Sequence, residues 1–252
     1  MDIKHTYWYF KSALSKEFCE RVISLGNKKI EDNKKLGQSV EGITFGDKQK
    51  SKDLFVPIND LALSDVKDKD KIDKMYARDS EISWLNDDWI YDEILPRVYE
   101  ANKSSGWKYD FDAWEDFQFT TYHAPGGFYG WHSDMASDHN AALKRYIHGI
   151  TDVPLKENGD IPFGYTRNNH MVGKIRKLSV TVNLTSPEEY EGGNLKFDLG
   201  KHNKGGQFHE ADVAREQGTI IVFPSYINHC VTPVTRGTRY SLVLWCSGRP
   251  FK

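Results

Sequence analysis

The stretch TYHAPGGFYGWHSDM, residues 121–135, sets an imidazole and a carboxylate two positions apart, His132 and Asp134, among aromatic rings and glycines. Both are metal-binding side chains. In an extended segment, side chains at i and i+2 point the same way, so both can reach one ion. A His-x-Asp pair is also common in surface loops, and two protein ligands rarely hold a catalytic metal. A third donor must come from elsewhere in the chain. The segment FPSYINHCVTP, residues 223–233, offers His229 just beyond an apolar run. The remaining histidines, such as His5, His148, His170 and His209, are expected to be ordinary surface or core residues.

Two histidines and one carboxylate on one side of a metal leave its other positions open. That is the facial triad of non-haem Fe(II) oxygenases, whose chemistry needs the open positions for a co-substrate and dioxygen. Zinc sites also use His and Asp, but no general base stands beside this set. The residue that adds weight is Arg239, which opens the apolar run RYSLVLWCS, residues 239–247. A buried cation without an anionic partner is costly. A guanidinium forms two parallel hydrogen bonds to a carboxylate. Arg239 therefore calls either for an anionic ligand or for an internal salt bridge to Asp or Glu. Ser241, two residues on, faces the same side and can donate a further hydrogen bond.

These residues must be positioned by regular elements. TYWYF (6–10) reads as a short strand. Ser15 can cap a helix running to about Leu25, with Phe18, Val22 and Ile23 at helical spacing and Gly26 as the stop. Residues 27–53 read as loop with one short strand at most, and SDVKDKDKIDK (64–74) as a solvated charge run. A second helix is expected from near Asp88, with Trp89, Ile90, Ile94 and Val98 on one face, ending before Ser105 and Gly106. Beyond it the period changes to two. EDFQFTTYH (115–123), KLSVTVNL (177–184), GGNLKFDL (192–199), GTIIVFPS (218–225) and RYSLVLWCS (239–247) read as strands. Gly126, Gly127 and Gly130 are expected to make the turn before the metal strand. A helical part followed by many strands points to an α+β chain built on a β-sandwich or jelly roll. The segment 139–176 is long enough to be a lid or binding loop; Arg145, Arg167, Asn168 and Asn169 in it are candidate substrate contacts. Phe128, Tyr129, Trp131 and Trp245 are candidates for the cavity wall.

At 252 residues the chain fits a single domain, 1–252, with 1–114 as a mainly helical support and 115–252 as the β core. A net charge of -2 argues against binding nucleic acid through its phosphates, and there is no basic stripe. No run is long enough to span a membrane. The first ten residues lack the pattern of a secretory signal. Cys19, Cys230 and Cys246 are odd in number and scattered, which suits reduced thiols and a cytoplasmic protein.

The order His-x-Asp, distal His, then Arg ten residues later resembles the Fe(II)/2-oxoglutarate-dependent dioxygenases, most of all the prolyl 4-hydroxylase-like branch. RDSEISWL (78–85), Tyr122 ten positions before His132, EGGNLKF (191–197) and HCVTPVTRGTRYS (229–241) are similar to segments of that branch, the last particularly to the PKHD-type hydroxylases. The likeness covers roughly residues 78–250. It implies a double-stranded β-helix with Fe(II) held by His132, Asp134 and His229. It also implies that Arg239, with Tyr122 and Ser241, binds 2-oxoglutarate, and that dioxygen is the oxidant; ascorbate is an accessory such enzymes can use. The expected reaction is oxidative decarboxylation of 2-oxoglutarate coupled to hydroxylation of a protein, peptide or small-molecule substrate, with a peptidyl proline as first choice. Many prolyl hydroxylases carry Lys where this chain has Arg239, which leaves the substrate class open. The competing readings are a hydroxylase of a free amino acid or other small metabolite, and a non-catalytic jelly-roll binding module. A pure binding module would have no need of all four residues.

Overall fold

The computed structural model describes residues 5–42, 78–135, 142–155, 161, 164–199 and 208–251. The charge run at 64–74 and parts of the long segment 139–176 lie outside them.

Two antiparallel sheets face each other as a double-stranded β-helix, with helices on the outer face of the larger one. The larger sheet runs β1 (Trp8–Phe10), β13 (Ile220–Pro224), β9 (Ile175–Asn183), β15 (Val234–Gly248), β5 (Phe117–His123) and β3 (Glu81–Leu85). Two short strands, β4 (Ala113–Trp114) and β10 (Tyr190–Gly192), also pair with β15. The smaller sheet runs β12 (Phe208–Glu210), β11 (Leu195–Asp198), β14 (His229–Val231), β6 (Phe128–His132) and β2 (Arg78–Asp79). The N-terminal part therefore supplies strands to both sheets as well as helices.

The central strands are buried on both faces, and their alternation sorts residues between two interiors. On β5, Phe117 and Phe119 point outward into the helical layer, while Gln118 and Tyr122 point inward between the sheets. Phe117 through Tyr122 are all buried. The polar half of the pattern faces a cavity rather than bulk water. Likewise Leu178 and Val182 of β9 join the outer core, and Thr181 faces inward. A second apolar cluster, including Leu195, Phe197, Ile221 and Phe223, closes one end between the sheets.

Helix α1 spans Lys16–Lys35, and the Ser15 hydroxyl accepts the Phe18 N–H at 3.1 Å as its N-cap. It runs past the stop expected at Gly26. A Cβ on Gly26 would lie 2.3 Å from the Phe119 ring. The Ser83 hydroxyl donates to the Gly26 carbonyl at 3.0 Å. Gly26 thus lets the helix lie close against β5 and β3, and the helical pattern continues with Ile30 buried beyond it. Helix α2 spans Asp88–Ser104 and buries Ile90, Ile94, Val98 and Ala101. Each fully buried Ile or Val contributes roughly 1.5–3 kcal/mol, which anchors the layer that holds β5 and β15 in place.

Within the long segment, β7 (Lys144–Arg145) and β8 (Tyr165–Thr166) form a small parallel pair. All three cysteines are buried free thiols. No helix among the described residues is long and apolar enough to cross a membrane.

Candidate metal centre

The structure brings His132, Asp134 and His229 together. One ligand atom from each lies within 4.8 Å of the others, and all three residues are buried. His132 is the last residue of β6 and His229 the first of β14, and they are direct cross-strand partners. Asp134 lies in the turn after β6, not on the strand as the two-residue spacing suggested. That turn is tied to the other sheet: the Ser133 hydroxyl and the Met135 N–H both donate to the Ser225 carbonyl, at 3.0 and 3.1 Å. Ser179 on β9 then donates to Asp134 Oδ2 at 2.5 Å.

The histidines are oriented by their own backbone. His132 Nδ1 lies 2.8 Å from the Gly130 carbonyl, and His229 Nδ1 lies 3.0 Å from the Ile227 carbonyl. A carbonyl can only accept, so each Nδ1 carries a proton, and Nε2 is the nitrogen of each ring placed to ligate. Those Nε2 atoms face the carboxylate, at 3.6 Å from Oδ1 for His132 and 3.7 Å from Oδ2 for His229. Burial, then the adjacent His229, pushes the His132 pKa down to about 3. Burial alone would raise the Asp134 carboxyl; His229, His132, Arg176 and the Ser179 hydrogen bond outweigh it and hold it at about 2. At neutral pH the centre offers a neutral imidazole at His132 and an ionised carboxylate. That donor set fits a divalent transition metal.

These side chains open into a cavity of ≈ 450 Å³, counting its mouth. Tyr122, Arg239 and Ser241 line it, as do Val243 and Trp245 further along β15. Arg239 is 2% exposed, and its Nε and Nη1 have no hydrogen-bond partner among the described residues. No ion pair joins it to a carboxylate among the described residues. The internal salt bridge weighed for Arg239 is therefore not found there, and the cavity holds a buried guanidinium in want of an anion. Tyr122 faces Arg239 across β5 and β15, with the guanidinium carbon 5.5 Å from its ring centre. The Gly-Gly segment explains the approach on the other side: a Cβ on Gly193 would lie 2.8 Å from Arg239 Cδ.

Other expectations divide. Tyr129 lines the cavity and stacks on His132, ring centres 3.6 Å apart. Trp131 packs instead against Phe208. Gly126 and Gly127 lie in the turn between β5 and β6, whereas Gly130 is inside β6, where its carbonyl orients His132. Arg145, Arg167, Asn168 and Asn169 do not line this cavity.

Arg78 was not singled out from the sequence. It is 4% exposed, lines the cavity and sits over Tyr129, 4.5 Å from its ring centre. Its Nε donates to Ser80, and its Nη2 donates to Gln118 and Thr120. Also missed was Arg176, which pairs through two 2.6 Å bonds with Glu115 and lies over Trp245 at 3.9 Å. Arg78 stood within a quoted motif, but nothing local marked either arginine as inward-facing.

The family described as the 2OG-Fe(II) oxygenase superfamily matches residues 117–247, a span that contains the triad and Arg239. A PKHD-type hydroxylase of Klebsiella pneumoniae is 39% identical over 85 residues, covering 32% of this chain and 34% of the relative. The PKHD-type hydroxylase YbiX of Escherichia coli is 36% identical over 85 residues, with the same shares. The chain thus spans about a third of the length of the curated relatives it matches. Among solved structures, a prolyl-4-hydroxylase of Pseudomonas putida aligns with a TM-score of 0.55 and 15% identity, over 98% of this chain and 94% of that one. A viral collagen prolyl hydroxylase from Paramecium bursaria Chlorella virus-1, in its 2OG complex, aligns with a TM-score of 0.51 and 17% identity, over 97% of both chains. At these identities the likeness shows a shared fold.

Proposed function

This chain belongs to the 2OG-Fe(II) oxygenase superfamily, and from that premise we propose that it is an Fe(II)- and 2-oxoglutarate-dependent hydroxylase. One observation carries the reading: the buried guanidinium of Arg239, with no hydrogen-bond partner for Nε and Nη1 among the described residues, opens into the same cavity as the His132, Asp134 and His229 donors. His132 and His229 would hold the iron through Nε2, and Asp134 would offset part of its charge. Arg239 takes the distal carboxylate of 2-oxoglutarate, with Tyr122 and Ser241 beside it. Bound iron supplies dioxygen activation, with 2-oxoglutarate oxidised to succinate and carbon dioxide as one oxygen atom enters the substrate.

The chain's own contribution is orientation and exclusion of water. The backbone carbonyls fix both imidazoles before metal arrives. Phe223, Val231, Val243 and Leu195 give the cavity an apolar wall, which strengthens the Arg239 interaction by lowering the local dielectric.

For the substrate we put a peptidyl proline first. Trp245 lines the cavity, and half-exposed Trp84 lies beside it, ring centres 6.3 Å apart. An aromatic ledge of that kind suits a saturated ring carried on an extended peptide. A free amino acid or other small metabolite is the competing class. We read residues 1–252 as one catalytic unit, with 1–114 supporting 115–252, and place it in the cytoplasm, where its thiols stay reduced.

The test is an anaerobic titration of the purified chain with Fe(II) and 2-oxoglutarate, followed by its visible charge-transfer band. Saturation at one equivalent, with succinate release when oxygen and proline-containing peptides are added, is the expected result. A folded protein that gives no band would sink the reading and point to a binding module.

A further inference from the structure

Asp134 is held by more than its own turn. Ser179 Oγ donates to Asp134 Oδ2 at 2.5 Å, and Ser225 Oγ lies 2.9 Å from Ser179 Oγ. Both serines are fully buried, at 0% exposure. Each hydroxyl has one proton to give. The carboxylate is ionised and can only accept, so the Ser179 proton goes to Asp134. Ser225 must then donate to Ser179. The result is a one-way chain from Ser225 to Ser179 to Asp134. In a dry interior each donor polarises the next, and the final bond is charge-assisted.

The backbone builds this chain in place. Ser179 on β9 faces Phe223 on β13 in register, and the Ser225 N–H donates to the Lys177 carbonyl at 3.0 Å. The Ser225 carbonyl accepts from Ser133 and Met135, the two neighbours of Asp134. One residue therefore feeds the side-chain relay and clamps the turn on both sides of the carboxylate.

We propose that Ser179 is a positioning residue that keeps Asp134 a one-oxygen ligand and so preserves the coordination position needed by dioxygen. The proposal rests on the hydroxylase reading above. Oδ1 faces His132 Nε2 at 3.6 Å and Oδ2 faces His229 Nε2 at 3.7 Å. The Ser179 hydrogen bond occupies one lone pair of Oδ2 and fixes the carboxylate's rotation, which makes Oδ1 the stronger donor. Iron held by three protein donors and by 2-oxoglutarate would have little room left for dioxygen. A carboxylate that swung round to chelate with both oxygens would take it.

The experiment uses the full chain as wild type, Ser179→Ala, Ser179→Thr and Ser225→Ala. Each is loaded anaerobically with Fe(II) and 2-oxoglutarate, checked by its charge-transfer band, and titrated with nitric oxide as a dioxygen surrogate read by electron paramagnetic resonance. Ser179→Ala is expected to keep its iron but bind nitric oxide about tenfold more weakly, within the range typical for loss of a partner behind a metal ligand. Ser179→Thr should restore the affinity, because it keeps the hydroxyl. Ser225→Ala, which leaves Ser179 donating but unpolarised, should show a smaller loss, and it carries the test if Ser179→Ala fails to fold. Unchanged nitric oxide affinity in whichever of these two alanine variants carries the test would overturn the proposal. So would equal loss of iron and nitric oxide binding that Thr does not rescue, since that marks a packing role. A wild-type chain without any band would overturn the hydroxylase reading, and this proposal with it; a normal wild-type band with unaltered variants overturns this proposal alone.

Discussion

His132 and His229 stand directly opposite each other on β6 and β14, with ring centres 4.2 Å apart. The pairing register of two strands therefore sets the distance between the two imidazoles. A one-residue slip would turn one of them to the other face. The candidate metal centre is in this sense a property of the smaller sheet, completed by a turn that the larger sheet holds.

Asp134→Ala should abolish iron binding. It removes the only carboxylate of the group and leaves two imidazoles, too few for a stable site. Equilibrium titration with Fe(II) should show a loss of at least about 100-fold, at the upper end for disrupted metal sites. In the wild type, saturating Fe(II) at about 100 times its Kd should add about 2.7 kcal/mol of stability. A chelator should remove that gain as a fall in Tm, and Asp134→Ala should show no such fall. An equal chelator response in both proteins would refute the triad.

Arg239→Met should separate co-substrate from metal. Losing one partner of a buried charged pair costs about 2–5 kcal/mol, so the 2-oxoglutarate Kd should rise by about 100-fold while Fe(II) affinity holds. Without ligand the same variant should be no less stable than wild type, because it replaces a buried cation lacking a partner on two of its nitrogens. Calorimetry on the ligand-free proteins tests the second half. A marked destabilisation would mean that Arg239 has a structural partner.

Gly26→Ala should weaken the fold without touching the site. The added methyl would lie 2.3 Å from the Phe119 ring, and relieving such overpacking costs about 1–3 kcal/mol. Chemical denaturation should show a lower midpoint, and Fe(II) affinity should be unchanged. A wild-type midpoint would show that α1 can lift off β5 at little cost.

Glu115→Gln should destabilise the chain and disturb the cavity wall. The Glu115 and Arg176 side chains are 23% and 16% exposed, so solvent screening reduces the cost below that of a fully buried pair, to about 1–3 kcal/mol. Arg176 lies over Trp245. A released guanidinium should therefore raise KM for the hydroxylated substrate more than for 2-oxoglutarate. Equal changes in both would argue that Trp245 does not meet the substrate.

The site was partly legible because its donors are chemically marked. His132, Asp134, His229 and Arg239 are residue types with few bland uses in that order, and the alternation of β9 and β15 is strong enough to locate strands. What escaped depended on register or on close approach. Gly26 looks like a helix stop in one dimension, and only the Phe119 ring on another element shows why it is glycine. Asp134 looks like a strand residue from its spacing, yet hydrogen bonds from Ser133 and Met135 to a distant carbonyl make it a turn residue. Ser179 and Arg78 carry no local signal at all. One is a serine in an apolar strand and the other an arginine beside acidic residues, and their inward direction follows from pairing with β13 and β6. Gln118 and Thr120 are part of the polar half of the β5 alternation. They turn inward because the outer face of β5 is taken by helices.

The site draws on both sheets, since His132 and His229 belong to the smaller one and Arg239 and Tyr122 to the larger. This has a consequence for the order of events on the ribosome. His132 and Asp134 leave the exit tunnel long before His229, and Arg239 follows later still. On the proposed roles, a nascent chain would offer two ligands and no anchor, so it would neither retain iron nor gather its co-substrate. Iron loading would then be a late step, available only once β14 has joined β6. An oxygen-reactive metal would be kept away from the growing polypeptide until the barrel that contains its chemistry has closed.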